Sequence, residues 1–362
     1  MLRYDYLIVG GGPIGLLTGI LLLRKGFNVA LIEEDAEIGL NQHCTGIVSM
    51  SALNVYPIDK KALLINRFYG IRLKVDDIFD ETFRASTPRA VLIDRYRLEK
   101  ELEREFLEIG GKLIYGKRIN TSALRYFYKD DKRYVVNAEG AKGLLIDGYR
   151  VMGGLNVELK LTEEHHDPRI VSLYVSKDLN SDFFFWVVPI GSKMLKVGTA
   201  SYSAPFIKCS KFILKYFRKV EVSRVLIGFV NVDGPRDSFI KNGIVYVGDA
   251  AGMNKITTGG GLFYGGVGAH ILAKSLSESN VEDYRREWLR CFWVELLLQK
   301  LMRRLFYVFS DTSIRELFLM LSKSELINLI LSLGDMDFHA TSILKLITDK
   351  DILIYLIKQT WF

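Results

Sequence analysis

The first 35 residues constrain the fold of this 362-residue chain more than any other segment. A strand pattern at residues 4–9 is followed by a glycine turn, a helical pattern at residues 14–25 that ends at Gly26, and a second strand pattern at residues 28–32. This order is typical of the strand, helix and strand of a βαβ unit. It predicts an α/β fold that begins with a Rossmann-like parallel sheet.

The turn carries the spacing Gly10-x-Gly12-x-x-Gly15, which is typical of nucleotide-binding βαβ units. Gly10 and Gly12 allow the backbone to approach a pyrophosphate, and Gly15 allows the helix to pack against the strand. The helix pattern begins at Ile14, where unpaired backbone N–H groups and the helix dipole favour a phosphate. Glu33 follows the second strand and suits a ribose diol without a 2′-phosphate, as in FAD or NAD.

A second glycine-rich segment lies much later in the chain. It combines a strand pattern at residues 244–247, Asp249, a glycine cluster at residues 259–261 and a long helix of small residues. The segment resembles the second FAD motif of the p-hydroxybenzoate hydroxylase-like flavoproteins. The resemblance implies FAD as the cofactor, with Asp249 on the ribityl hydroxyls and the backbone N–H groups of Gly261 and Leu262 near flavin N1 and O2. A helix N-terminus there stabilises the negative charge of a reduced flavin.

Between these motifs, "VLIDRYRLEKELEREFLEIGGKLIYGKRI" resembles the Asp-Arg segment of the same flavoproteins, a strand, a helix and a strand. The resemblance implies that Arg95 approaches the FAD pyrophosphate or ribityl group and that the backbone of Ile119 approaches the adenine. Asp147-Gly148 falls where these flavoproteins carry a longer motif tied to FAD and nicotinamide handling. The sequence departs from that motif at Ile146, so the electron donor stays open between a nicotinamide and a ferredoxin-like protein.

Residues 170–200 predict three strands of a sheet with one covered face. In the middle strand, "FFWVVP" resembles the aromatic-x-Trp-x-aliphatic-Pro signature of the geranylgeranyl reductases, flavoenzymes that saturate isoprenoid double bonds. The resemblance implies that Phe184, Trp186 and Pro189 contact the substrate. Flat aromatic walls suit a long hydrocarbon, which offers only area and shape for recognition. An aromatic strand packed in a protein core is the alternative explanation.

The segment "HCTGIVS" extends this resemblance, because geranylgeranyl reductases carry a cysteine in a small-residue loop close to the flavin. The resemblance implies that the backbones of Cys44, Thr45 and Gly46 contact FAD and that the Cys44 thiol faces the alkene. A thiol, with an ordinary pKa of about 8.5, is able to donate a proton or only to shape the site. A catalytic role for Cys44 is therefore one of two hypotheses.

Composition indicates the cellular compartment and limits the kinds of binding partner that we expect. The three cysteines Cys44, Cys209 and Cys291 are far apart, which disfavours a disulfide framework, an iron–sulfur cluster or a zinc site and predicts a cytoplasmic protein. The adjacent histidines in "EEHHDP" indicate an exposed turn, so no metal is expected. No apolar run reaches the roughly 18 residues of a membrane span. The net charge of +7 comes without any nucleic-acid-binding module and favours an anionic headgroup, an acidic donor protein or a membrane surface as partner. A solvated basic face without a partner is the alternative.

The chain is expected to divide into three parts. The FAD-binding domain takes residues 1–66, 88–150 and 226–280, an inserted substrate-binding sheet takes residues 67–87 and 151–225, and a helical region takes residues 281–362. The apolar faces of the helical region predict an ordinary helical cap, a wall around a lipid, or a contact with a membrane surface. The scarcity of glutamine, with three in the chain, fits a heat-adapted lipid reductase of the archaeal type.

The resemblance as a whole implies an FAD-dependent reductase that transfers a hydride from reduced flavin to an isoprenoid double bond. The expected substrate is a geranylgeranyl chain on a lipid, a prenyl diphosphate or a quinone, and an external donor reduces the FAD. Two alternatives stay open. One is a flavin-dependent monooxygenase or halogenase of the same fold, and the other is an electron-transfer flavoprotein at a membrane surface.

Overall fold

A computed structural model describes residues 4–40, 42–120, 134–163, 167–323 and 335–344. The described strands form three sheets. The strands are β1 (Tyr6–Val9), β2 (Val29–Ile32), β3 (Ile47–Val48), β4 (Leu64–Phe68), β5 (Gly70–Val75), β6 (Phe79–Arg84), β7 (Ala90–Ile93), β8 (Lys112–Ile114), β9 (Val135–Asn137), β10 (Met152–Leu161), β11 (Ile170–Val175), β12 (Phe185–Pro189), β13 (Met194–Ser201), β14 (Val220–Val230), β15 (Ile240–Lys241) and β16 (Ile244–Tyr246). The α-helices of the described residues are α1 (Pro13–Leu23), α2 (Arg95–Glu108), α3 (Ala141–Ile146), α4 (Pro205–Tyr216), α5 (Leu262–Ser277), α6 (Tyr284–Val308), α7 (Asp311–Lys323) and α8 (His339–Leu344).

The first sheet has the strand order β15-β16-β9-β1-β2-β8 and is parallel except between β15 and β16. Every residue of β1 and β2 is buried, as expected for parallel strands covered on both faces. Helix α1 packs against α2 and α5, and it begins at Pro13 because the fixed φ of proline suits the first helical turn. The predicted α/β fold is confirmed. The carboxyl ends of the parallel strands meet at one edge, where open sheets of this kind bind ligands.

The second sheet has the strand order β14-β10-β13-β12-β11-β5-β6 and is antiparallel except between β11 and β5. Its strands come from two separate parts of the chain, residues 70–84 and 152–230. The strands expected within residues 170–200 are β11, β12 and β13. Helix α4 covers one face, where the buried ring of Phe212 stacks on Phe185 with centroids 4.3 Å apart. Strand β14 crosses the expected boundary between residues 225 and 226, and the domain limits stay predictions.

The third sheet, β3-β7-β4, brings two predicted site segments together. The Ile93 N–H at the end of β7 donates to the Gly46 carbonyl at 2.9 Å. Gly46 has a φ of +84°, and a Cβ there would lie 2.8 Å from the Ile93 carbonyl oxygen, so this close approach requires glycine. Strand β7 leads directly into α2. The loop that contains Cys44 therefore lies beside Arg95, the first residue of α2.

The C-terminal part of the described chain is helical, as expected. Phe292 of α6 stacks on Tyr264 of α5 with ring centroids 4.3 Å apart, which joins α6 to the core of the first sheet. Residues 324–334 and 345–362 of the expected helical region lie outside the described residues. Within the part of the chain that the structure describes, no helix has the length and apolar character needed to cross a membrane.

Candidate active site

A cavity of about 740 Å³ opens at the carboxyl edge of the first sheet. Its walls are the glycine turn after β1, the Cys44 loop, the starts of α2 and α5, parts of the second sheet, and residues 335–339. This volume lies within the range of about 300–1,000 Å³ typical of small-molecule sites. The two nucleotide-binding motifs and the predicted substrate strand therefore face one shared space.

The glycine turn meets two separate structural needs. A Cβ on Gly15 would lie 2.0 Å from the Gly10 carbonyl oxygen, so α1 packs on the turn only with glycine at this position. A Cβ on Gly12 would meet no atom within 4 Å, and Gly12 lines the cavity together with Ile14. Gly12 caps α1 without a side-chain hydrogen bond, which leaves first-turn N–H groups available to an anion.

Glu33 and Ile119 line the same end of the cavity. The Glu33 carboxylate accepts hydrogen bonds from the N–H groups of Gly11 at 2.6 Å and Asp35 at 2.9 Å. Its backbone carbonyl accepts a hydrogen bond from Lys117 N–H at 2.9 Å, which brings the following residues to this end. The carboxylate thus holds the glycine turn and the loop after β2 together. Its contact with a ribose, and that of Ile119 with an adenine, stay predictions.

Buried donors without a hydrogen-bond partner in the described part of the chain occur among the residues that line the cavity. They include Nε of Arg95 and Nε2 of Gln42. Arg95 is fixed in place by a buried ion pair with Glu99 at 2.5 Å. Buried donors without partners are costly, so these two atoms favour a ligand with many acceptor oxygens. FAD fits this requirement through its pyrophosphate, hydroxyl and carbonyl oxygens.

Asp249 and the start of α5 form another wall. Gly261 caps α5 without a side-chain hydrogen bond, and a Cβ on Gly261 would lie 2.2 Å from Asp249 Oδ1. Gly261 and Leu262 both line the cavity. Burial raises the pKa of the Asp249 carboxyl to about 6, and the positive charge of Arg95 partly offsets this rise. A carboxylate and a helix start at one wall suit a ligand with both hydroxyl and carbonyl groups.

The Cys44 loop touches the second sheet. Cys44 and Thr45 line the cavity, and the Thr45 carbonyl accepts a hydrogen bond from Lys196 Nζ at 3.3 Å. Within the loop, the Gly46 N–H donates to Cys44 Sγ at 3.4 Å. The thiol of Cys44 is half-buried and free, so it is accessible from the cavity. Gly46 is not among the described residues that line the cavity, and its positive φ shapes the loop.

Trp186 lines the cavity and is oriented by an asparagine that sequence reasoning missed. Trp186 Nε1 donates to Asn156 Oδ1 at 2.7 Å, and Asn156 Nδ2 donates to the His43 carbonyl at 2.7 Å. Asn156 is 4% exposed and lines the cavity. It couples the aromatic wall to the Cys44 loop. A single asparagine within a strand pattern gives no sequence signal for such a role.

The other two predicted substrate residues differ in their placement. Phe184 lines the cavity and meets Trp186 at 72°, with ring centroids 6.1 Å apart. Pro189 ends β12, is buried, and is not one of the described residues that line the cavity. Its carbonyl accepts a hydrogen bond from Asn66 Nδ2 at 3.2 Å. Phe184 and Trp186 thus form the aromatic wall, while Pro189 serves the packing of the sheet.

Asp147 and the adjacent histidines, which the sequence also singled out, are not found at the cavity within the described residues. Asp147 pairs at 2.6 Å with Arg236, whose side chain is 2% exposed, and neither lines the cavity. Asp147 therefore neutralises a buried arginine. The adjacent histidines interpreted as an exposed turn fall on residues 164–166, outside the described residues. Lys255 and His339, which no motif indicated, line the cavity near the start of α5.

Known proteins with similar sequence or fold agree with this geometry. The model of an FAD binding domain matches residues 3–47. Digeranylgeranylglycerophospholipid reductase 1 of Methanococcoides burtonii is 24% identical over 95% of this chain and 91% of its own length. A geranylgeranyl bacteriochlorophyll reductase-like protein from Thermoplasma acidophilum has a TM-score of 0.79 at 18% identity, over 98% of this chain and 99% of its own. These comparisons support the predicted resemblance to the geranylgeranyl reductases.

The protein is an FAD-dependent oxidoreductase, and the predicted cofactor, FAD, is confirmed. An uncharacterized protein of Methanocaldococcus jannaschii is also similar, with 25% identity over 96% of both chains. The flavin-dependent brominase Bmp2 shares the fold, with a TM-score of 0.66 at 15% identity over 96% of this chain and 99% of its own. Since one fold hosts several flavin reactions, the substrate has to be argued from the site.

The raised pKa of Asp249 predicts that FAD binding to this protein depends on pH. Without FAD, the carboxyl takes up a proton as the pH falls through about 6, and a protonated carboxyl is a weaker acceptor for ribityl hydroxyls. FAD affinity should therefore fall below this pH, by at most about tenfold per pH unit. Titration followed by flavin fluorescence measures the effect.

The raised pKa of Asp249 also makes the stability of the FAD-free protein depend on pH. The pKa of Asp249 is 3.8 in the unfolded chain and about 6 in the folded protein without FAD. Its contribution to the free energy of unfolding is therefore fully present below pH 3.8 and is lost as the pH rises through about 6. Asp249→Asn should bind FAD more weakly and with a flatter pH profile. An FAD affinity that stays constant in the wild-type protein across this range would contradict the role assigned to Asp249.

Proposed function

We propose that this protein is a reductase that saturates carbon–carbon double bonds in the isoprenoid chain of a lipid. The observation that carries the proposal is the Asn156 bridge, which joins Trp186 and the Cys44 loop with hydrogen bonds of 2.7 Å on both sides. One buried polar side chain holds an aromatic wall and the loop that carries the Cys44 thiol around the same space. This arrangement suits a reaction that depends on positioning and on exclusion of water.

The apolar part of the cavity supports a long hydrocarbon as the substrate. Phe68, Ile71, Val171 and Leu173 line it beside Phe184. A hydrocarbon chain gains roughly 25 cal/mol for each Å² of surface that such a wall removes from water. Several similar proteins are named digeranylgeranylglycerophospholipid reductases, which supports a geranylgeranyl lipid. A prenyl diphosphate and an isoprenoid quinone are alternative carriers of the same chain.

Bound FAD supplies the hydride when an external donor has reduced it. The residues of this chain supply the remaining needs of the reaction. Trp186 and Phe184 confine the alkene, and Asn156 keeps the ring and the loop in position. The Cys44 thiol holds the proton for the carbon next to the one that takes the hydride. Each saturated bond therefore gains two hydrogens.

The proposal includes two partners. One is an external electron donor, either a ferredoxin-like protein or a nicotinamide, and the other is a membrane surface. The outer face of α6 supports the membrane contact, since Trp293, Leu297 and Val308 are 59%, 56% and 65% exposed. Lys300 and Arg304 are exposed on the same face. Apolar side chains interleaved with cations suit an anionic lipid surface.

Product mass tests the proposed reaction. Chemically reduced protein, incubated without oxygen with a geranylgeranyl glycerophospholipid, should yield products that are heavier by two hydrogens per saturated bond. Oxidised protein without a reductant is the control and should yield none. Oxygen-dependent turnover of an aromatic substrate would instead favour a monooxygenase or halogenase. Quinone reduction without lipid saturation would favour an electron-transfer flavoprotein.

Variants of Cys44 resolve the role of the thiol in the same assay. If the thiol holds the proton, Cys44→Ala should retain FAD but lose saturation rate, and the pH profile of turnover should change. Cys291 is the matched control, because its thiol is exposed on α6, and Cys291→Ser should keep full activity. Turnover and a pH profile that are unchanged in Cys44→Ala would limit Cys44 to shaping the cavity.

A further inference from the structure

A buried ion pair lies at the cavity beside the start of α5. Lys255 Nζ is 3.1 Å from Asp337 Oδ1, and the two side chains are 6% and 3% exposed. Nζ also donates to the Met336 carbonyl at 3.2 Å, and Lys255 and Met336 both line the cavity. Burying two charges costs several kcal/mol in lost hydration, and a pair of this kind is weak evidence for a purely stabilising role. Its position at the cavity indicates a functional role instead.

Asp337 is held from several directions. The Tyr264 hydroxyl donates to the Asp337 carbonyl at 2.8 Å, and the Asp337 N–H donates to Asp335 Oδ1 at 2.7 Å. The Ser49 hydroxyl donates to the second carboxylate oxygen. Glu295, 1% exposed, accepts hydrogen bonds at 2.8 and 2.7 Å from two backbone N–H groups of α8, which follows directly. The carboxylate of Asp337 is therefore a fixed counter-charge for Lys255.

Lys255 stands next to the start of α5. Its N–H donates to the Gly260 carbonyl at 3.0 Å, and its carbonyl accepts a hydrogen bond from Gly259 N–H at 2.8 Å. A Cβ on Gly260 would lie 2.9 Å from Lys255 Cε and 3.5 Å from Nζ. The ammonium group is thus beside the residue that precedes the Gly261 cap. The positive end of the helix dipole and the ammonium charge face the same part of the cavity.

The titratable side chains that surround Lys255 include those of His339, Asp335, Asp337 and Glu295. His339 Nε2 lies 2.7 Å from Thr257 Oγ1, and burial lowers the pKa of His339 to about 4, with a further contribution from the charge of Lys255. His339 is therefore neutral near pH 7. Asp335 accepts a hydrogen bond from the Asp337 N–H, and Glu295 accepts hydrogen bonds from the N–H groups of α8.

We propose that Lys255 is a positioning residue that stabilises the negative charge carried by reduced FAD at its pyrimidine end, and that Asp337 sets the strength of this effect. If Gly261 and Leu262 contact flavin N1 and O2 as the resemblance implies, that end of FAD would lie at the start of α5. A charge acts strongly across a buried, water-poor site, and a preorganised charge needs no rearrangement during the reaction. The proposal concerns the cofactor and not the lipid.

The midpoint potential of bound FAD tests this proposal without any substrate. In Lys255→Met, reduced FAD should lose about tenfold in affinity relative to oxidised FAD, which lowers the midpoint potential by about 30 mV for a two-electron couple. Asp337→Asn should move the potential in the opposite direction, because it removes a negative charge. Spectroelectrochemical titration of the FAD-loaded protein measures both shifts.

Two variants control for charge and for folding. Lys274→Met, near the other end of α5, should leave the potential unchanged, since Lys274 is 55% exposed and lies 4.0 Å from Glu287. Lys255→Arg keeps the charge and should restore most of the wild-type potential. If Lys255→Met fails to fold, the direction of the Asp337→Asn shift decides the question. Potentials that are unchanged in the variants of Lys255 and Asp337, or that move in the same direction, would overturn the proposal. Shifts of opposite sign without lipid saturation would uphold it while contradicting the proposed function.

Discussion

Gly12→Val is expected to give a folded protein that no longer binds FAD. The Gly12 backbone has φ −67° and ψ 175°, an extended conformation open to any residue, and its Cβ would meet no atom within 4 Å. Gly12 lines the cavity at the start of α1, so the valine side chain takes space beside the helix N–H groups. FAD affinity should fall by at least about 100-fold, or roughly 3 kcal/mol. The stability of the FAD-free protein should change by less than about 1 kcal/mol.

Valine substitutions at two other glycines serve as controls for Gly12→Val. Gly191 follows β12, and its Cβ is equally open, so Gly191→Val should bind FAD as the wild-type protein does. Gly15→Val should damage the fold itself, because its Cβ would lie 2.0 Å from the Gly10 carbonyl oxygen. Calorimetric FAD titration and thermal unfolding of the three FAD-free proteins separate these outcomes. Wild-type FAD affinity in Gly12→Val would show that the turn does not hold the pyrophosphate.

The βαβ unit could be predicted from sequence because its determinants are local. The buried strands β1 and β2 are continuous apolar runs, and the glycines between them act on their immediate neighbours. The FAD motifs around Gly12 and Asp249 were found in the same way, as short patterns whose residues line one cavity. A local pattern can also include residues that lie outside the site. Pro189 belongs to the sequence signature of the aromatic strand, yet it packs in the sheet, whereas Trp186 of the same strand lines the cavity.

The rest of the site depends on contacts between distant segments. Asn156 reaches His43 across 113 residues, and Lys255 reaches Asp337 across 82. Ser49 reaches Asp337 across 288 residues. Each of these side chains is an ordinary polar residue in its own segment, and only the assembled sheets turn it into a buried partner. Sequence patterns report local periodicity and spacing, so they carry no signal for such pairs.

In these distant contacts, polar groups hold loop segments against the sheets and helices. The Cys44 loop is tied to the second sheet, and residues 335–339 are tied to the start of α5. The proposed hydrocarbon substrate offers few polar groups for recognition, so the walls of its site have to be fixed instead. Asn156 is the clearest test of that idea, because it holds two walls at once.

Asn156→Leu is expected to retain FAD and to lose about 100-fold in the rate of lipid saturation. Leucine is similar in size, but it leaves Trp186 Nε1 and the His43 carbonyl without partners, at roughly 1–3 kcal/mol for each buried group. The indole ring and the Cys44 loop then lose their fixed relation, and a misplacement of about 1 Å is enough to cost 100-fold in rate. Mass spectrometry of the lipid product measures the rate, and flavin absorbance measures the retained FAD.

Two variants separate lost positioning from lost stability. Asn66→Leu also removes hydrogen bonds to the second sheet and its flank, at 2.7 Å to the Pro168 carbonyl and 3.2 Å to the Pro189 carbonyl, but Asn66 does not line the cavity. It should lower the unfolding temperature and leave the saturation rate near that of the wild-type protein. Asn156→Asp keeps the acceptor for Trp186 and loses the donor to His43, so an intermediate rate is expected. If Asn156→Leu were destabilised like Asn66→Leu but saturated lipid at the wild-type rate, the bridge would serve folding alone, because the alkene would be positioned without it.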